Sequence, residues 1–334
     1  MGDRPITRRE LLKTFGVGGA ALVGGSVLGH SVGQATSGES PEYATSADHP
    51  DPAAAGGYRG SHDPPSGVGP GHLDRLTFPP PPAPRGTQEL EVTVEDRLIE
   101  VAAGTFFEAW TYNGSVPAPI IRASEGDRLR IRFTNRTGLA HSLHFHGSHS
   151  PTQDGWEPVP PGQEVVYDIV AGPAGVHPYH CHTMPLAEHV GRGLYGMMIV
   201  DPPGGRRDAT EIALLLSGFS GQGLGTNGVV AWNGVSSYYR DFPIKVETGR
   251  PVRAYLVNMV EHEPVTSFHL HARTFDVYPA GMGERPAFSE DTVAFVQGQR
   301  AMIEFILPER GRYMFHPHQH WLAVRGAMGW LAAV

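Results

Sequence analysis

Four His-x-His pairs restrict the folds open to this chain more than any other feature of its sequence. Side chains i and i+2 of a β-strand point to the same face, so a pair on a strand directs two imidazoles to one place. One such pair arises easily by accident, whereas four pairs at matching positions in two halves of the chain indicate strands that offer eight metal ligands. The pairs are His144 with His146, His180 with His182, His269 with His271, and His316 with His318.

The sequence around these pairs repeats as well. Leu90, Val92 and Val94 alternate with polar residues, which is the period of a strand buried on one face. The turn sequence Tyr-Asn-Gly at 112–114 returns as Trp-Asn-Gly at 232–234. Repetition at a spacing of about 125 residues predicts two similar β domains.

We therefore expect an all-β fold with two sandwich-sized domains, residues 87–203 and 204–334, joined at the Pro-Pro-Gly-Gly sequence of 202–205. The 43 Gly and 30 Pro among 334 residues are typical of short strands joined by many turns and argue against helical bundles. The net charge of −8, without a block of Lys or Arg in the body of the chain, argues against a nucleic-acid partner.

The N-terminal residues have the pattern of an export signal. Arg8 and Arg9 precede an apolar, glycine-rich run at 15–29, which is typical of a twin-arginine signal peptide covering residues 1–35. The run is shorter than the ~20 residues that span a bilayer, so we expect no permanent membrane anchor and an extracellular, periplasmic or cell-envelope location. Residues 36–86 are rich in Pro, Gly, Ser and Asp and predict an extended or disordered lead.

The single cysteine, Cys181, excludes an intrachain disulfide and every multi-cysteine zinc or iron–sulfur site. It lies inside the second His-x-His pair, and its place in the last pair is taken by Pro317. A thiolate with two imidazoles is the ligand set of a blue-copper electron-transfer site, which domain one can build and domain two cannot. His141 and His189 are the candidate imidazoles for Cys181, and a small buried thiol is the alternative interpretation of the cysteine.

Several of these stretches together resemble the multicopper oxidase family, and more narrowly its two-domain, laccase-like blue copper oxidases with the type 1 copper in the N-terminal domain. The resemblance is carried by residues 110–122, by Gly126 and Asp127, by the His-x-x-His-x-His-Gly sequence of 141–147 and by the His-Cys-His sequence of 180–182. It implies two cupredoxin-like domains, which are Greek-key β-sandwiches, and a homotrimer. It also implies a trinuclear copper cluster held between domain one of one subunit and domain two of the next.

The resemblance implies about four coppers per chain, with the thiolate site as type 1. His144 and His269, one from each early pair, are implied as ligands of the type 2 copper. His320 could replace a member of the last pair, although the gapless alignment of the late pairs favours His316 and His318. The implied ligands of the type 3 pair are His146, His180, His182, His271, His316 and His318.

The axial position of the type 1 site departs from the pattern of familiar laccases. His189 comes eight residues after Cys181, which is later than in those enzymes and predicts a longer loop. The family's spacing beyond this histidine reaches Leu194, a non-ligating side chain that withholds axial donation and raises the copper potential. Met197 and Met198 compete for the axial place, with packing in a strand as their alternative role.

The activity implied by the resemblance couples four one-electron oxidations of a reductant to the reduction of O2 to water. Cys181 conducts the electrons, because its covalent neighbours bind the cluster. Asp154 resembles the family's acid near the type 2 copper, with a turn-forming Asp-Gly as its alternative role. Glu261 and Glu263 are weaker acid candidates. The reductant is a phenol, an aromatic amine or a metal ion, and the sequence does not choose among them.

Two other functions fit parts of the pattern. A copper nitrite reductase shares the two domains but has aspartate at the place of His144, lacks a histidine at the place of His182 and lacks a second complete pair at the end of domain two. A copper carrier or electron-transfer protein would not need the four histidines of domain two. Bound copper distinguishes the three: about four per chain for the oxidase, two for the reductase and one for the carrier.

Overall fold

The computed structural model describes residues 70–82, 84–220 and 227–334. The predicted signal peptide and most of the predicted lead lie outside these residues. Strands dominate the described chain, which confirms the all-β prediction. None of the helices within these ranges is long and apolar enough to cross a bilayer.

The first domain consists of two four-stranded sheets. Its strands are β1 Thr87–Ala102, β2 Thr105–Tyr112, β3 Ile121–Ser124, β4 Arg128–Asn135, β5 His144–Phe145, β6 Glu164–Val170, β7 Gly175–His180 and β8 Tyr195–Asp201. The strand orders are β2-β1-β4-β6 in one sheet and β3-β8-β7-β5 in the other. The expected alternation is visible in β4, where Leu129, Ile131 and Phe133 are buried and the intervening arginines are exposed.

The second domain consists of a six-stranded and a five-stranded sheet. Its strands are β9 Thr210–Phe219, β10 Val229–Trp232, β11 Ile244–Val246, β12 Pro251–Asn258, β13 Thr266–Leu270, β14 Phe275–Pro279, β15 Phe288–Glu290, β16 Thr292–Phe295, β17 Arg300–Ile306, β18 Gly311–His316 and β19 Gly329–Ala333. The strand orders are β10-β9-β12-β17-β14-β15 and β11-β19-β18-β13-β16.

The described helices are short. They are α1 Pro70–Thr77, α2 Leu186–Gly191, α3 Tyr238–Asp241 and α4 His320–Val324. The prediction of an extended or disordered lead to residue 86 was wrong for α1. Leu73 and Leu76 lie on one face of this helix and are buried in the core of domain two, and the Thr77 hydroxyl lies 2.5 Å from the Tyr239 hydroxyl. Burial of these two leucines stabilises a helix that its local composition does not favour.

A third buried cluster joins the domains, in addition to the core of each. Tyr195 and Ile199 of β8 pack there with Tyr255 and Met302 of domain two. Every residue of β8 is buried. The sheet that contains β7 and β8 is therefore covered on both faces, by the other sheet of domain one and by domain two.

A network of ion pairs reaches across the same interface through Arg122 and Glu211. Arg122 of β3 binds Asp201 at 2.7 Å and Glu211 of β9 at 2.6 Å. Arg253 binds Glu304 at 2.7 Å and lies 3.3 Å from Glu211. Both guanidinium groups are almost fully buried, so each depends on its carboxylate partners for compensation of its charge.

Candidate metal centres

The four His-x-His pairs lie at strand ends. In each pair the first histidine belongs to a strand and the second follows the end of that strand. His144 of β5 is paired with His180 of β7, and His269 of β13 is paired with His316 of β18. The sheets therefore place the first histidine of each pair. They also hold the second histidine of each early pair, whose amide donates to a carbonyl of the neighbouring strand, so that only the second histidine of each late pair needs support from outside the ladder.

The thiolate site gathers the three predicted residues of domain one. The Cys181 sulfur lies 3.3 Å from Nδ1 of His189 and 4.0 Å from Nδ1 of His141, and these two nitrogens are 3.1 Å apart. His189 belongs to α2, so the longer stretch after the cysteine contains a short helix that returns the imidazole to the sulfur. All three side chains are buried.

The electrostatics of this site suit a copper ion. Burial, and then the neighbouring His189, lower the pKa of His141 to about 4, and burial also lowers the pKa of His189. Both rings are therefore neutral near pH 7, as metal ligation requires. Two neutral imidazoles and a thiolate are the donor set that blue-copper sites use.

The three candidates for the axial position pack in two different hydrophobic clusters. Leu194 and Met198 are buried in the domain-one core together with Cys181, and the Leu194 carbonyl accepts a hydrogen bond from the Cys181 amide at 3.0 Å. Met197 packs instead into the cluster between the domains. The assignment of Leu194 as the axial residue stays a prediction.

Trp110 is a part of this site whose role the sequence did not indicate. Its ring lies 5.0 Å from the ring of His141 and 4.9 Å from that of His189, measured between centroids. The Arg192 guanidinium lies 4.9 Å from the centroid of the indole. Trp110 thus contacts both imidazoles and separates them from a charged, half-exposed side chain.

The domain-one histidine group comprises His144, His146, His180 and His182. Nε2 of His146 lies 3.1 Å from Nε2 of His180, and a nitrogen of His144 is within 4.8 Å of both. The ring of His182 lies 5.3 Å from that of His144. Burial is the main cause that lowers the pKa of His146 to about 3 and that of His180 to about 4.

The domain-two histidine group, His269, His271, His316 and His318, has the same arrangement. Nε2 of His271 lies 2.9 Å from Nε2 of His316, and His269 again completes the group within 4.8 Å. The ring of His318 lies 4.8 Å from that of His269, whereas His320 stands 5.6 Å from His318. Among the residues that the structure describes, each tight group draws on a single domain.

Backbone carbonyls hold the Nδ1 atoms of four of these rings. The His180 and His316 Nδ1 atoms each donate to the carbonyl of the following residue at 2.8 Å. Those of His144 and His269 donate to the carbonyls of Asp154 at 2.7 Å and Asp291 at 2.8 Å. This fixes the tautomer and leaves Nε2 free as an electron-pair donor, which is the usual arrangement around a metal-bound histidine.

Asp154 lies beside the early pair of domain one. Its carboxylate is 3.2 Å from Nδ1 of His144 and 3.5 Å from Nε2 of His149. The following Gly155 has φ +71°, and a Cβ atom there would lie 1.9 Å from the Leu143 carbonyl oxygen, so only glycine allows this approach. The turn and the acidic function suggested for this Asp-Gly sequence are therefore compatible.

The corresponding acid of domain two was not found in the sequence. Asp291 and Thr292 both contact Nδ1 of His269, the Thr292 hydroxyl at 2.8 Å. They follow the histidine by more than twenty residues and reach it because β16 pairs with β13. Glu261, a weaker candidate, contacts Gln297. No local sequence signal marks Asp291, since its position depends on strand pairing.

Comparisons with known proteins agree with this donor chemistry. Family models described as multicopper oxidase match residues 93–205 and 217–334. A copper-containing nitrite reductase of Neisseria gonorrhoeae is 28% identical over 264 residues, which are 72% of this chain and 66% of that protein. The chain thus spans slightly less than two thirds of the length of this curated relative.

Two similar solved structures are likewise a multicopper oxidase and a copper nitrite reductase. A crystal structure of a multicopper oxidase superposes with a TM-score of 0.73 at 40% identity, over 75% of this chain and 90% of that one. A copper nitrite reductase from Nitrosomonas europaea gives a TM-score of 0.68 at 26% identity, over 74% and 94% of the two chains. Proteins similar to this chain thus include both multicopper oxidases and copper nitrite reductases.

Proposed function

Because this chain belongs to the multicopper oxidase family, whose cofactor is copper, we propose that it is a laccase-like oxidase. It couples four one-electron oxidations of a reducing substrate to the reduction of O2 to water. The thiolate site is its type 1 copper site, and the two histidine groups together hold a trinuclear cluster.

The observation that carries this proposal is the complete histidine group of domain two. Its four imidazoles repeat the geometry of the domain-one histidine group, including the close approach of two Nε2 atoms, 2.9 Å in domain two and 3.1 Å in domain one. A reductase with one catalytic copper uses three histidines, whereas this chain offers eight. The surplus is explained when both groups are ligands.

Copper, when bound, supplies the one-electron chemistry and the binding of O2. The chain supplies the connection, because Cys181 is bonded through its backbone to His180 on one side and His182 on the other. Electrons therefore travel from the thiolate site to the histidine group over a covalent path. The Cys181 sulfur is buried, so it is shielded from solvent and from oxidants dissolved in it.

Asp154 has the geometry of a proton-handling residue. Its Oδ1 stands between two imidazoles, 3.2 Å from His144 and 3.5 Å from His149, and its side chain is partly exposed. A carboxylate in this position can take a proton from solvent and hold it beside the histidine group. In domain two the Asp291 carbonyl bonds Nδ1 of His269, and the Asp291 carboxylate lies 3.8 Å from the same nitrogen.

A cluster shared between subunits requires a second subunit, and we propose the homotrimer that the family resemblance implies. His182 and His318 are exposed in a single chain, as is His271, although all three are expected ligands. We propose that the domain-one histidine group of one subunit faces the domain-two histidine group of the next. A monomeric variant should then lose oxidase activity and keep its blue colour, and a monomer that still reduces O2 would contradict the trimer.

The reductant gives up its electrons at the face formed by α2 and Trp110, since these elements enclose His189. We propose phenols, aromatic amines or metal ions as substrates, and export by the twin-arginine route to the periplasm, envelope or exterior. Replacing both Arg8 and Arg9 by Lys should retain the protein in the cytoplasm, which fractionation of cells measures.

The deciding experiment is copper analysis of the mature protein with its absorption spectrum and O2 uptake on a phenol. We expect about four coppers per chain, bands at about 600 nm and about 330 nm, and O2 consumption. About two coppers per chain with a blue band alone and turnover of nitrite would replace the oxidase by the nitrite reductase. That second candidate is favoured by the Neisseria relative.

A further inference from the structure

Each domain carries a buried serine two residues before its early histidine pair. Ser142 precedes His144, and Ser267 precedes His269. Ser142 is fully buried and Ser267 is 4% exposed. Both serines stand at the same place in the internal repeat, so we expect their buried hydroxyls to have the same role.

Both hydroxyls accept a hydrogen bond from the late pair of their own domain. The His182 amide donates to Oγ of Ser142 at 3.0 Å, and the His318 amide donates to Oγ of Ser267 at 2.8 Å. The donor is in each case the last histidine of the domain's four. The two contacts span 40 and 51 residues of sequence, so neither is a local turn.

These two histidines are the ones that the sheets do not hold. His180 and His316 end strands and are paired with His144 and His269 across the ladder. The chain then leaves the sheet, and the next histidine amide is bound to the serine. The hydroxyl thus replaces the missing ladder bond at the point where the imidazole has to be directed to a metal.

We propose that Ser142 and Ser267 are positioning residues, each of which fixes the second histidine of the late pair as a copper ligand. This inference rests on the proposed oxidase function, because it assigns His182 and His318 to the cluster. Neither serine touches the reacting atoms. Each acts through the backbone amide of a ligand and sets the direction of its side chain.

The two serines differ on their donor side. The Ser267 hydroxyl donates to Oε1 of Gln319 at 2.8 Å. The Ser142 hydroxyl lies 4.0 Å from the Cys181 sulfur, which also accepts the Ser142 amide at 3.3 Å. Ser142 therefore contacts both the thiolate site and the histidine group, whereas Ser267 serves the histidine group alone.

Ser267→Ala tests the proposal through two independent readouts. In the copper-free protein, hydrogen exchange at the His318 amide should accelerate about tenfold or more, because its acceptor is gone. In the copper-loaded protein, the band at about 330 nm should fall severalfold while the band at about 600 nm is kept. Ser142→Ala should accelerate exchange at His182 and change both bands, and Ser267→Thr should restore the 330 nm band.

Ser236→Ala is the matched control. It removes a serine hydroxyl of domain two that donates to the backbone carbonyl of Arg325 at 3.2 Å and not to a residue of the histidine groups. It should leave both bands unchanged. If Ser267→Ala and Ser142→Ala keep the exchange rates and spectrum of the parent, the proposal is overturned while the oxidase stands. If the parent lacks the 330 nm band and O2 uptake, the oxidase fails and the exchange rates still decide the role of the serines.

Discussion

Domain one and domain two hold their four histidines alike but differ at the residues that form the thiolate site. At the position of Cys181 domain two has Pro317, and at the position of His141, three residues before the early pair, it has Thr266. The position of His189, eight residues after the cysteine, falls on Arg325. The serine that supports the late pair is retained in both.

This difference separates two sets of residues that share one scaffold. The four histidines and the serine that supports the late pair are present in both domains, whereas Cys181, His141 and His189 have no counterpart in domain two. Trp110 also has no counterpart in domain two. It lies two residues before Tyr112 of the Tyr-Asn-Gly turn, and the residue two before Trp232 of the repeated turn is Val230. The same fold thus forms with or without the thiolate site, which depends on a small set of side chains.

Cys181→Ser should have the largest effect. Serine offers no soft thiolate, so the band at about 600 nm should disappear and O2 uptake should fall by about a thousandfold or more. Copper at the histidine groups should remain, since their imidazoles are untouched. Copper analysis and steady-state O2 uptake measure both parts.

The reciprocal change, a cysteine placed in domain two, tests whether the scaffold alone is enough to form a blue copper site. Pro317→Cys puts a thiol between His316 and His318, but Thr266 and Arg325 offer no imidazoles to it. The blue absorption per chain should stay that of the parent. A doubled band at about 600 nm would show that the residues replaced in domain two are not what prevents the site.

Arg122→Ala tests the buried ion-pair network that joins the two domains. The change removes one cation from Asp201 and Glu211, which keep Arg206 and Arg253 as partners, so the free energy of unfolding should fall by about 3 kcal/mol, the lower end of the range for a broken buried pair. Urea unfolding measures it. Arg128→Ala, at the exposed pair with Asp168, should cause no measurable loss, and equal losses in the two variants would contradict the importance of burial.

Acid should weaken the copper-free protein through the buried histidines. Folding lowers the pKa of His146 to about 3 and that of His141 to about 4, so the unfolded chain binds more protons below pH 6.5. Their stability contribution is present above about pH 6.5 and is lost as the pH falls towards 4. The free energy of unfolding should drop by more than about 1 kcal/mol over this window.

Urea midpoints at pH 7 and pH 4.5 measure this loss. His146→Ala should make the dependence on pH shallower, because it removes one of the groups that take up a proton on unfolding. A parent protein that gains stability on acidification would refute the assignment of neutral, buried rings.

Trp110→Val gives domain one the residue of domain two and should have the smallest effect. Removing the indole opens the two imidazoles to solvent and to the charge of Arg192, so the type 1 potential should shift by on the order of 30 mV with little change in copper content. Redox titration of the blue band measures it. Arg192→Ala, which leaves the indole in place, should shift the potential less.

Sequence patterns predicted what depends on local geometry. The period of two in β4 and the spacing of the His-x-His pairs are properties of a strand, so the all-β fold and the grouping of histidines within each domain could be predicted. Leu73 and Leu76 could not, because their burial depends on a domain more than a hundred residues away. Asp291 was missed because its position beside His269 depends on the pairing of β16 with β13.

Of two further features, the supporting serines carried a usable signal in the sequence and the role of Trp110 did not. The Ser-x-His-x-His sequence occurs at both Ser142 and Ser267, so a comparison of the two halves extended by two residues would have found the serines. Trp110 was noticed as part of a motif, but its contact with both imidazoles depends on α2 returning His189 to the sulfur, which no spacing rule predicts.

The sheet of β7 and β8 has a consequence for how the molecule comes apart. Tyr195 and Ile199 point into domain two, so a chain cut between β8 and β9 would expose a broad apolar face. The two sandwiches should accordingly melt in one cooperative transition, and domain one expressed alone should aggregate. Loss of domain two in evolution would therefore remove four of the proposed cluster ligands and also leave domain one prone to aggregation.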